Sequence, residues 1–264
     1  MTTIGMCTAT LIADPMVATP AQVRGAAEAS VAAGATDLSV WAFQMGGLGD
    51  LAALGARVAV VEAAMAWASG DAEATRAEAG QLAGLAAEHG ATKIVAVTMD
   101  AEVPDLDRAR DNLALLVDAA TQAGAQVVVE FLPWSGIPDL ATAWRLVEPL
   151  GAGAGILLDT WHWQRQPGGP NPDLLRQIPG ERIGYVQLCD AAATPDGDSL
   201  AEAMSARLLP GDGVVDFAAV RALLDEIGAE PFVATEIFNP SIVTARGGDG
   251  AAVAMLGAAH RAFD

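Results

Sequence analysis

The sequence has few basic residues and therefore lacks an obvious surface for polyanions. Only 14 of its 264 residues are lysine or arginine, against 33 aspartates and glutamates, and the formal net charge at pH 7 is −19. Nucleic acids and anionic membranes are bound largely through clustered lysine and arginine, and the sequence holds no such cluster. We therefore expect no nucleic acid and no membrane among its partners.

Cysteine and long apolar runs are also scarce. Cys7 and Cys189 are the only two cysteines, too few for a disulfide framework, and they indicate a reducing compartment. No run of 18 apolar residues occurs, so no segment predicts a transmembrane helix. The apolar N-terminal stretch has no positive region before it and is interrupted by Asp14 and Pro15, unlike a secretory signal. These features predict a cytoplasmic protein.

What the sequence does have is a repeated alternation of strand-like and helical segments. Its length and its hydrophobic content of 52% suit one large α/β barrel spanning residues 1–264. Strand-like runs rich in valine, isoleucine and leucine occur at 4–9, 37–43, 57–62, 93–98, 126–131, 155–159, 182–188 and 232–237. Such runs are typical of parallel strands that are covered on both faces.

Helical periodicity fills the intervals between these runs. The segment Thr19-Pro20-Ala21-Gln22 predicts a helix with a capping box, and Gly34 predicts its end. Further helices are predicted at 71–89, from Pro104 onward, and at 138–150, 172–178, 215–227 and 250–263. Eight strand-like runs, alternating with these helices and with one short glycine-rich connection at 45–55, predict a single (β/α)8 TIM barrel. The competing fold is an open doubly wound sheet, but the glycine-rich segment 151–155 precedes a strand, whereas a dinucleotide-binding loop follows one.

Four of the strand-like runs end in an oxygen-bearing side chain. These are Glu130, Asp159, Gln187 and Glu236, separated by gaps of about 30, 30 and 50 residues, and one strand-plus-helix unit needs about 30. Because parallel strands of a barrel end on the same face, the four side chains should meet there. Glu62 also ends a strand-like run, but the sequence assigns it no role.

Buried carboxylates need a cation or several hydrogen-bond donors. For a single one, an ion pair with an arginine such as Arg165 or Arg207 is an equally good explanation. Three carboxylates on the catalytic face favour a shared divalent ion, and oxygen-only ligands favour Mg²⁺ or Mn²⁺ over Zn²⁺.

Other side chains near these strand ends could contact a substrate. His162 follows Asp159 closely and could act as a ligand, a general acid/base or a substrate hydrogen bonder, or form part of the wall. Trp134 and Trp161 could form an apolar pocket wall or simply cover the core.

The segments VVVEFLP, LLDTWHW, IGYVQLCD, RLLPGDGVVDF and VATEIFNP resemble the xylose-isomerase-like TIM-barrel family of sugar-phosphate isomerases and epimerases. The resemblance covers residues 126–240. It implies that Glu130, Asp159, Gln187 and Glu236 hold one Mn²⁺, Mg²⁺ or Co²⁺ ion. Many members of the family have histidine at the position of Gln187. The resemblance also implies that the loop arginine Arg207 contacts the substrate, although a solvated loop charge explains it equally well, and that the chain associates as a dimer or tetramer. Arg165, just after His162, is a second such candidate.

Such a site supports proton abstraction next to a carbonyl. Glu130 and Glu236 would move protons on opposite sides of the ion, and His162 would assist. The first hypothesis is an isomerase or epimerase of a small keto-sugar or hydroxy-keto acid. A dehydratase of a polyhydroxylated cyclic ketone, such as dehydroshikimate or inosose, is the alternative. A non-catalytic barrel that binds a metabolite is the third possibility.

Overall fold

Eight parallel strands close into a barrel in the computed structural model, which describes residues 3–103, 105–195 and 197–264. Each strand pairs with the next along the chain, and β1 closes the ring by pairing with β8, where Gly5 lies opposite Ala234. The predicted TIM barrel is confirmed. The strands are β1 (Gly5–Cys7), β2 (Asp37–Trp41), β3 (Arg57–Ala64), β4 (Lys93–Ala96), β5 (Gln126–Glu130), β6 (Ala154–Asp159), β7 (Ile183–Leu188) and β8 (Phe232–Thr235).

The helices lie between the strands in sequence and cover the barrel. Their bounds are α1 (Pro20–Ala33), α2 (Ala66–Ser69), α3 (Ala72–His89), α4 (Leu106–Gln122), α5 (Leu140–Val147), α6 (Thr160–Arg165), α7 (Pro172–Leu175), α8 (Ser199–Ser205), α9 (Phe217–Glu226) and α10 (Pro240–Phe263). The capping box at Thr19 and Gln22 is confirmed, as is the left-handed Gly34 that ends α1. Pro104 lies outside the described residues, and Asp105 caps α4.

Four helical segments differ from the prediction. The sequence does not predict helices α2, α6 and α8, because each is shorter than two full turns and shows little periodicity. Helix α10 begins ten residues earlier than the predicted 250, at Pro240, and it is interrupted at Gly247, where φ is +69°. The glycine pair at 247 and 248 suggests a loop in the sequence, but helix continues on both sides of the interruption.

The core has two layers, one inside the barrel and one around it. One or two buried side chains from each of six strands fill the barrel interior: Ala59, Val60, Val95, Val128, Leu157, Tyr185 and Ala234. A larger apolar layer lies between the outer face of the strands and the helices. Because both faces of each strand are covered, the strands read as continuous apolar runs, and the polar residues that follow them lie at the carboxyl end of the barrel.

No helix within the described ranges is both long and apolar enough to cross a membrane.

Close packing at the amino end of β1 generates a test of barrel closure. A β-carbon on Gly5 would lie 2.3 Å from the Asp37 carbonyl oxygen and 2.7 Å from the Phe232 ring. We expect Gly5→Ala to lower the unfolding free energy by about 1–3 kcal/mol, as overpacking of a core does. Gly25→Ala is the control, because no atom lies within 4 Å of its added carbon and helix α1 should gain about 0.5–1 kcal/mol. Urea titration of both variants measures the difference, and equal stabilities would contradict the packing.

Candidate active site

The four side chains predicted at the strand ends are all buried at the carboxyl end of the barrel. Glu130 ends β5, Asp159 ends β6, Gln187 lies near the end of β7, and Glu236 follows β8 directly. Their relative exposures are between 0% and 9%. Asp159 lies opposite Gln187 in the strand register. The barrel therefore gathers four oxygen-bearing side chains from four successive strands.

The guanidinium of Arg207 lies among these carboxylates. Its Nη1 donates to Asp159 Oδ2 at 2.6 Å and to Glu236 Oε2 at 3.1 Å. Its Nη2 lies 3.3 Å from His162 Nε2. Arg207 itself is 2% exposed. The ion pair with arginine that the sequence left open is thus present for two of the three predicted carboxylate ligands.

The loop that carries Arg207 is fastened by one buried carboxylate. Asp190 accepts four backbone N–H bonds of 2.8–2.9 Å, from Ala191, Gly211, Gly213 and Val215. The backbones of Asp190 and Leu208 also exchange two hydrogen bonds. Because residues on both sides of Arg207 are held in this way, the position of its side chain is fixed by the fold.

His162 links Asp159 to Glu130. Asp159 caps helix α6 by accepting the backbone N–H of His162 at 2.9 Å, and this turns the imidazole toward β5. His162 Nε2 then lies 3.2 Å from Glu130 Oε1. The rings of Trp134 and Trp161 meet the imidazole edge-on, each with its centroid 5.3 Å away. Trp161 is fully buried and Trp134 half-buried, so both form a wall around His162.

Arg165 lies at the edge of this group and has a partner of its own. Its Nη2 donates to Glu202 Oε1 and to the Ala192 carbonyl oxygen, at 2.6 and 2.7 Å. Its guanidinium also stacks 5.6 Å from the centre of the Trp161 ring. These bonds hold helix α8 against helix α6.

Glu62 of β3 belongs to the same constellation, although the sequence alone assigns it no role. Ser39 Oγ donates to Glu62 Oε1. Gln187 Nε2 donates to Glu236 Oε1 at 2.8 Å and lies 3.4 Å from Glu62 Oε1. A carboxylate within the apolar run RVAVVEAA could have indicated that Glu62 belongs to the site, because an ionisable residue in a buried strand needs a polar neighbour.

Burial and mutual repulsion oppose the ionisation of two of these carboxylates. Desolvation raises the pKa of Glu62 to about 7, with a further contribution from Glu130, while bonds from Ser39 and Trp41 oppose the rise. Desolvation and then Glu62 raise the pKa of Glu236 well above its ordinary value. Burial also opposes ionisation of Asp159, but Arg207, His162 and the hydrogen bonds that they donate together outweigh it and lower the pKa of that carboxyl. The Arg207 guanidinium also opposes the rise in the pKa of Glu236 without cancelling it.

In the part of the chain that the structure describes, two separate groups of side chains could hold a divalent cation, and they divide the three predicted carboxylate ligands between them. The potential ligand atoms of Glu130, Asp159 and His162 lie within 4.8 Å of one another, as do those of Cys7, Glu62 and Glu236. Gln187 Oε1 is buried and has no hydrogen-bond partner among the described residues. A carbonyl oxygen without a donor, beside several carboxylates, is what a hard cation requires.

The chain belongs to the xylose isomerase-like TIM barrel family, whose model matches residues 17–259. The family expected from the segments at 126–240 is therefore confirmed. A stretch of 97 residues is also 34% identical to a 3-dehydroshikimate dehydratase of Pseudomonas putida (strain KT2440). That stretch spans 36% of this chain and only 15% of the dehydratase.

Solved structures share the fold across the whole chain. A fusion protein of a xylose isomerase-like TIM barrel with 4-hydroxyphenylpyruvate dioxygenase has a TM-score of 0.81 and 22% identity, with 97% of this chain and 42% of that protein covered. The IolI protein with a bound zinc atom has a TM-score of 0.83 and 19% identity over 100% and 98% of the two chains. A D-allulose 3-epimerase from Methylomonas sp., in complex with D-allulose, has a TM-score of 0.76 and 17% identity over 99% and 98%. At these identities the likeness concerns the fold.

The raised pKa of Glu62 predicts how the stability of the metal-free protein depends on pH. The folded chain keeps a proton that the unfolded chain loses near pH 4.5, so the unfolding free energy should fall as pH rises toward about 7. Between pH 5 and 8, we expect the unfolding free energy of wild type to fall by about 2–3 kcal/mol more than that of Glu62→Gln. Urea titrations in the presence of EDTA measure this, with the exposed Glu226→Gln as control. If the unfolding free energies of wild type and Glu62→Gln change with pH in parallel, the raised pKa does not belong to Glu62.

Proposed function

We propose that this protein is a divalent-metal-dependent isomerase or epimerase of a small keto-sugar or hydroxy-keto acid. The observation that carries the proposal is the pair Glu130 and Glu236, which extends from β5 and β8 into one buried constellation with Asp159 and Gln187. Isomerisation and epimerisation next to a carbonyl both need one group that removes a proton and one that returns it elsewhere. Two carboxylates on different strands meet this need.

The residues that would hold the ion are Glu130, Asp159, Gln187 and Glu236. Their support is the surplus of carboxylates over the single guanidinium of Arg207 and the unpartnered Gln187 Oε1 within the described part of the chain. A bound Mn²⁺, Mg²⁺ or Co²⁺ supplies Lewis-acid polarisation of the substrate carbonyl, which makes the neighbouring C–H more acidic.

The chain's own side chains then handle the proton and the substrate. Glu130 accepts the proton, since it is the most exposed of the four carboxylates in the constellation, and His162 Nε2 at 3.2 Å can share it. Glu236 is held by Gln187 and Arg207 and acts from the other side of the constellation. Arg207 orients the polar end of the substrate, and Trp134 and Trp161 exclude water.

Dehydration of a polyhydroxylated cyclic ketone is the second candidate, and two observations favour it. One is the 34% identity to a 3-dehydroshikimate dehydratase. The other is that Glu130 and His162 lie side by side, as a base and an acid on one face of a substrate. Glu130 would take the proton next to the carbonyl, and His162 would give a proton to the departing β-hydroxyl. The products would be water and a conjugated enone.

Metal content tests the requirement for an ion. We expect the purified protein to hold about one Mn, Mg or Co per chain, because four oxygen ligands suit such ions. Glu130→Gln and Asp159→Asn should each lower metal affinity about tenfold or more, whereas the surface variant Glu226→Gln should not. Elemental mass spectrometry after dialysis measures the content. A wild type that retains no metal at millimolar Mn²⁺ would remove this mechanism and leave a metabolite-binding barrel.

Product analysis in D₂O separates the two candidate reactions. A panel of ketohexoses, hydroxypyruvate and polyhydroxylated cyclic ketones is incubated with the Mn²⁺-loaded protein. An isomerase or epimerase incorporates solvent deuterium at carbon without losing water, whereas a dehydratase forms a product that absorbs in the ultraviolet. We expect Glu130→Gln and Glu236→Gln to lower kcat about 10²–10⁴-fold, the usual contribution of acid–base catalysis. Unchanged turnover in either variant would exclude its carboxylate from the proton transfer.

A further inference from the structure

The side-chain amide of Gln187 lies beside two carboxylates. Its Nε2 donates to Glu236 Oε1 at 2.8 Å and lies 3.4 Å from Glu62 Oε1, while its Oε1 has no hydrogen-bond partner among the residues described. All three side chains are buried, with exposures of 0% for Gln187, 5% for Glu62 and 4% for Glu236. Because water has little access to these groups, it cannot supply the hydrogen bonds that the Gln187 amide would lose in an unfavourable orientation.

An amide has a donor end and an acceptor end, and only its oxygen can bind a cation. A carboxylate without its proton accepts hydrogen bonds and cannot donate them, and a cation beside Glu62 and Glu236 favours this ionised form of both. A flipped Gln187 would place its carbonyl oxygen against Glu62 and Glu236, where two like dipoles would repel and the NH₂ group would lose both acceptors. The two carboxylates together select the orientation that leaves the oxygen free.

Glu62 is itself held by its own neighbours. It lies on β3 opposite Trp41 of β2, and Ser39, two residues earlier on β2, donates to its Oε1. The strand register therefore fixes where the Glu62 carboxylate lies, and from there it faces the Gln187 amide across the barrel interior.

We propose that Glu62 is a positioning residue that keeps the carbonyl oxygen of Gln187 available as a metal ligand. The proposal rests on the proposed function, in which Gln187 is one of four ligands. Glutamine is the only one of the four whose ligand atom can be exchanged for a non-ligand by a simple flip of the side chain. A chain with glutamine at this position therefore needs acceptors that fix the amide, and Glu62 supplies the second of them beside Glu236.

A double-mutant cycle separates positioning from simple attraction between Glu62 and a cation. The variants are Glu62→Met, Gln187→Ala and the combination. Methionine removes both oxygens at similar volume, and urea titration checks that Glu62→Met stays folded after Ser39 has lost this acceptor. Mn²⁺ affinity is measured by electron paramagnetic resonance of the free ion. Thr235→Val is the matched control, because its buried hydroxyl has no partner within the described ranges.

We expect Glu62→Met to lower Mn²⁺ affinity about tenfold when Gln187 is present, as loss of a residue that orients a ligand does. In the Gln187→Ala background the same change should alter affinity by less than about twofold, because no amide remains to orient. Thr235→Val should behave as wild type. An equal loss in both backgrounds, or no loss in either, would overturn the positioning role while leaving the metal requirement intact.

A metal-free measurement keeps the proposal testable if the protein binds no Mn²⁺. The ¹H–¹⁵N resonances of the Gln187 side-chain amide are assigned by their loss in Gln187→Ala. We expect one sharp pair in wild type and two sets, or one exchange-broadened set, in Glu62→Met, since Glu236 alone would then hold the amide and the flipped orientation would become populated. A single sharp pair that is merely shifted would refute the role of Glu62. If the protein does not bind Mn²⁺ but Glu62→Met still shows two sets of Gln187 amide resonances, the proposed function is refuted and the positioning role of Glu62 is not.

Discussion

The compensation of buried negative charge is the constraint on which the carboxyl end of this barrel depends. Glu62, Glu130, Asp159 and Glu236 approach one another in a space where, among the described residues, the guanidinium of Arg207 is the permanent positive charge. Removing carboxylates from water costs several kcal/mol each unless a counter-charge or donors replace the solvent. Protons, an additional cation or both must complete the balance. The raised pKa values of Glu62 and Glu236 are the response of the chain when only protons are available.

Arg207 has two roles in this balance. It neutralises Asp159, the most deeply buried carboxylate, and its Nη2 faces the imidazole of His162. Both contacts depend on the loop between β7 and β8, which Asp190 closes through four backbone hydrogen bonds. A residue with no direct part in the chemistry thus determines where the positive charge lies. The geometry of the site follows from the loop as much as from the strands.

The barrel and four of its strand-end side chains could be predicted because they follow from patterns with a short physical range. Apolar runs define the strands, and the first polar residue after a run lies at the open end of the barrel, as Glu130, Asp159 and Glu236 do. The capping box at Thr19 is equally local. Helices α6 and α8 could not be predicted because each is too short to show periodicity. Asp159 caps the first locally, and the tertiary Arg165–Glu202 pair holds the second.

The partners within the site could not be predicted for the same reason. Glu62 and Gln187 are 125 positions apart, and Arg207 and Asp159 are 48 apart. No spacing rule relates them, because their proximity comes from closure of the barrel and from the path of one loop. The sequence left an ion pair with Arg207 and a shared metal as alternatives. In the structure Arg207 pairs with Asp159 and Glu236, so the ion pair is present, and the shared metal stays a proposal.

The fastening of the β7–β8 loop by Asp190 also bears on how such a protein can diverge. The segment from Asp190 to Val215 carries Arg207 and both ends of its own support, and a β-carbon on Gly213 would lie 2.2 Å from the Ala191 carbonyl oxygen. The two halves of the segment depend on each other, because one half without the other would lose the closure. Between the fixed points, residues 193–195 are exposed and take no part in these bonds. Substitutions there would leave the closure and the charge balance beneath it unchanged.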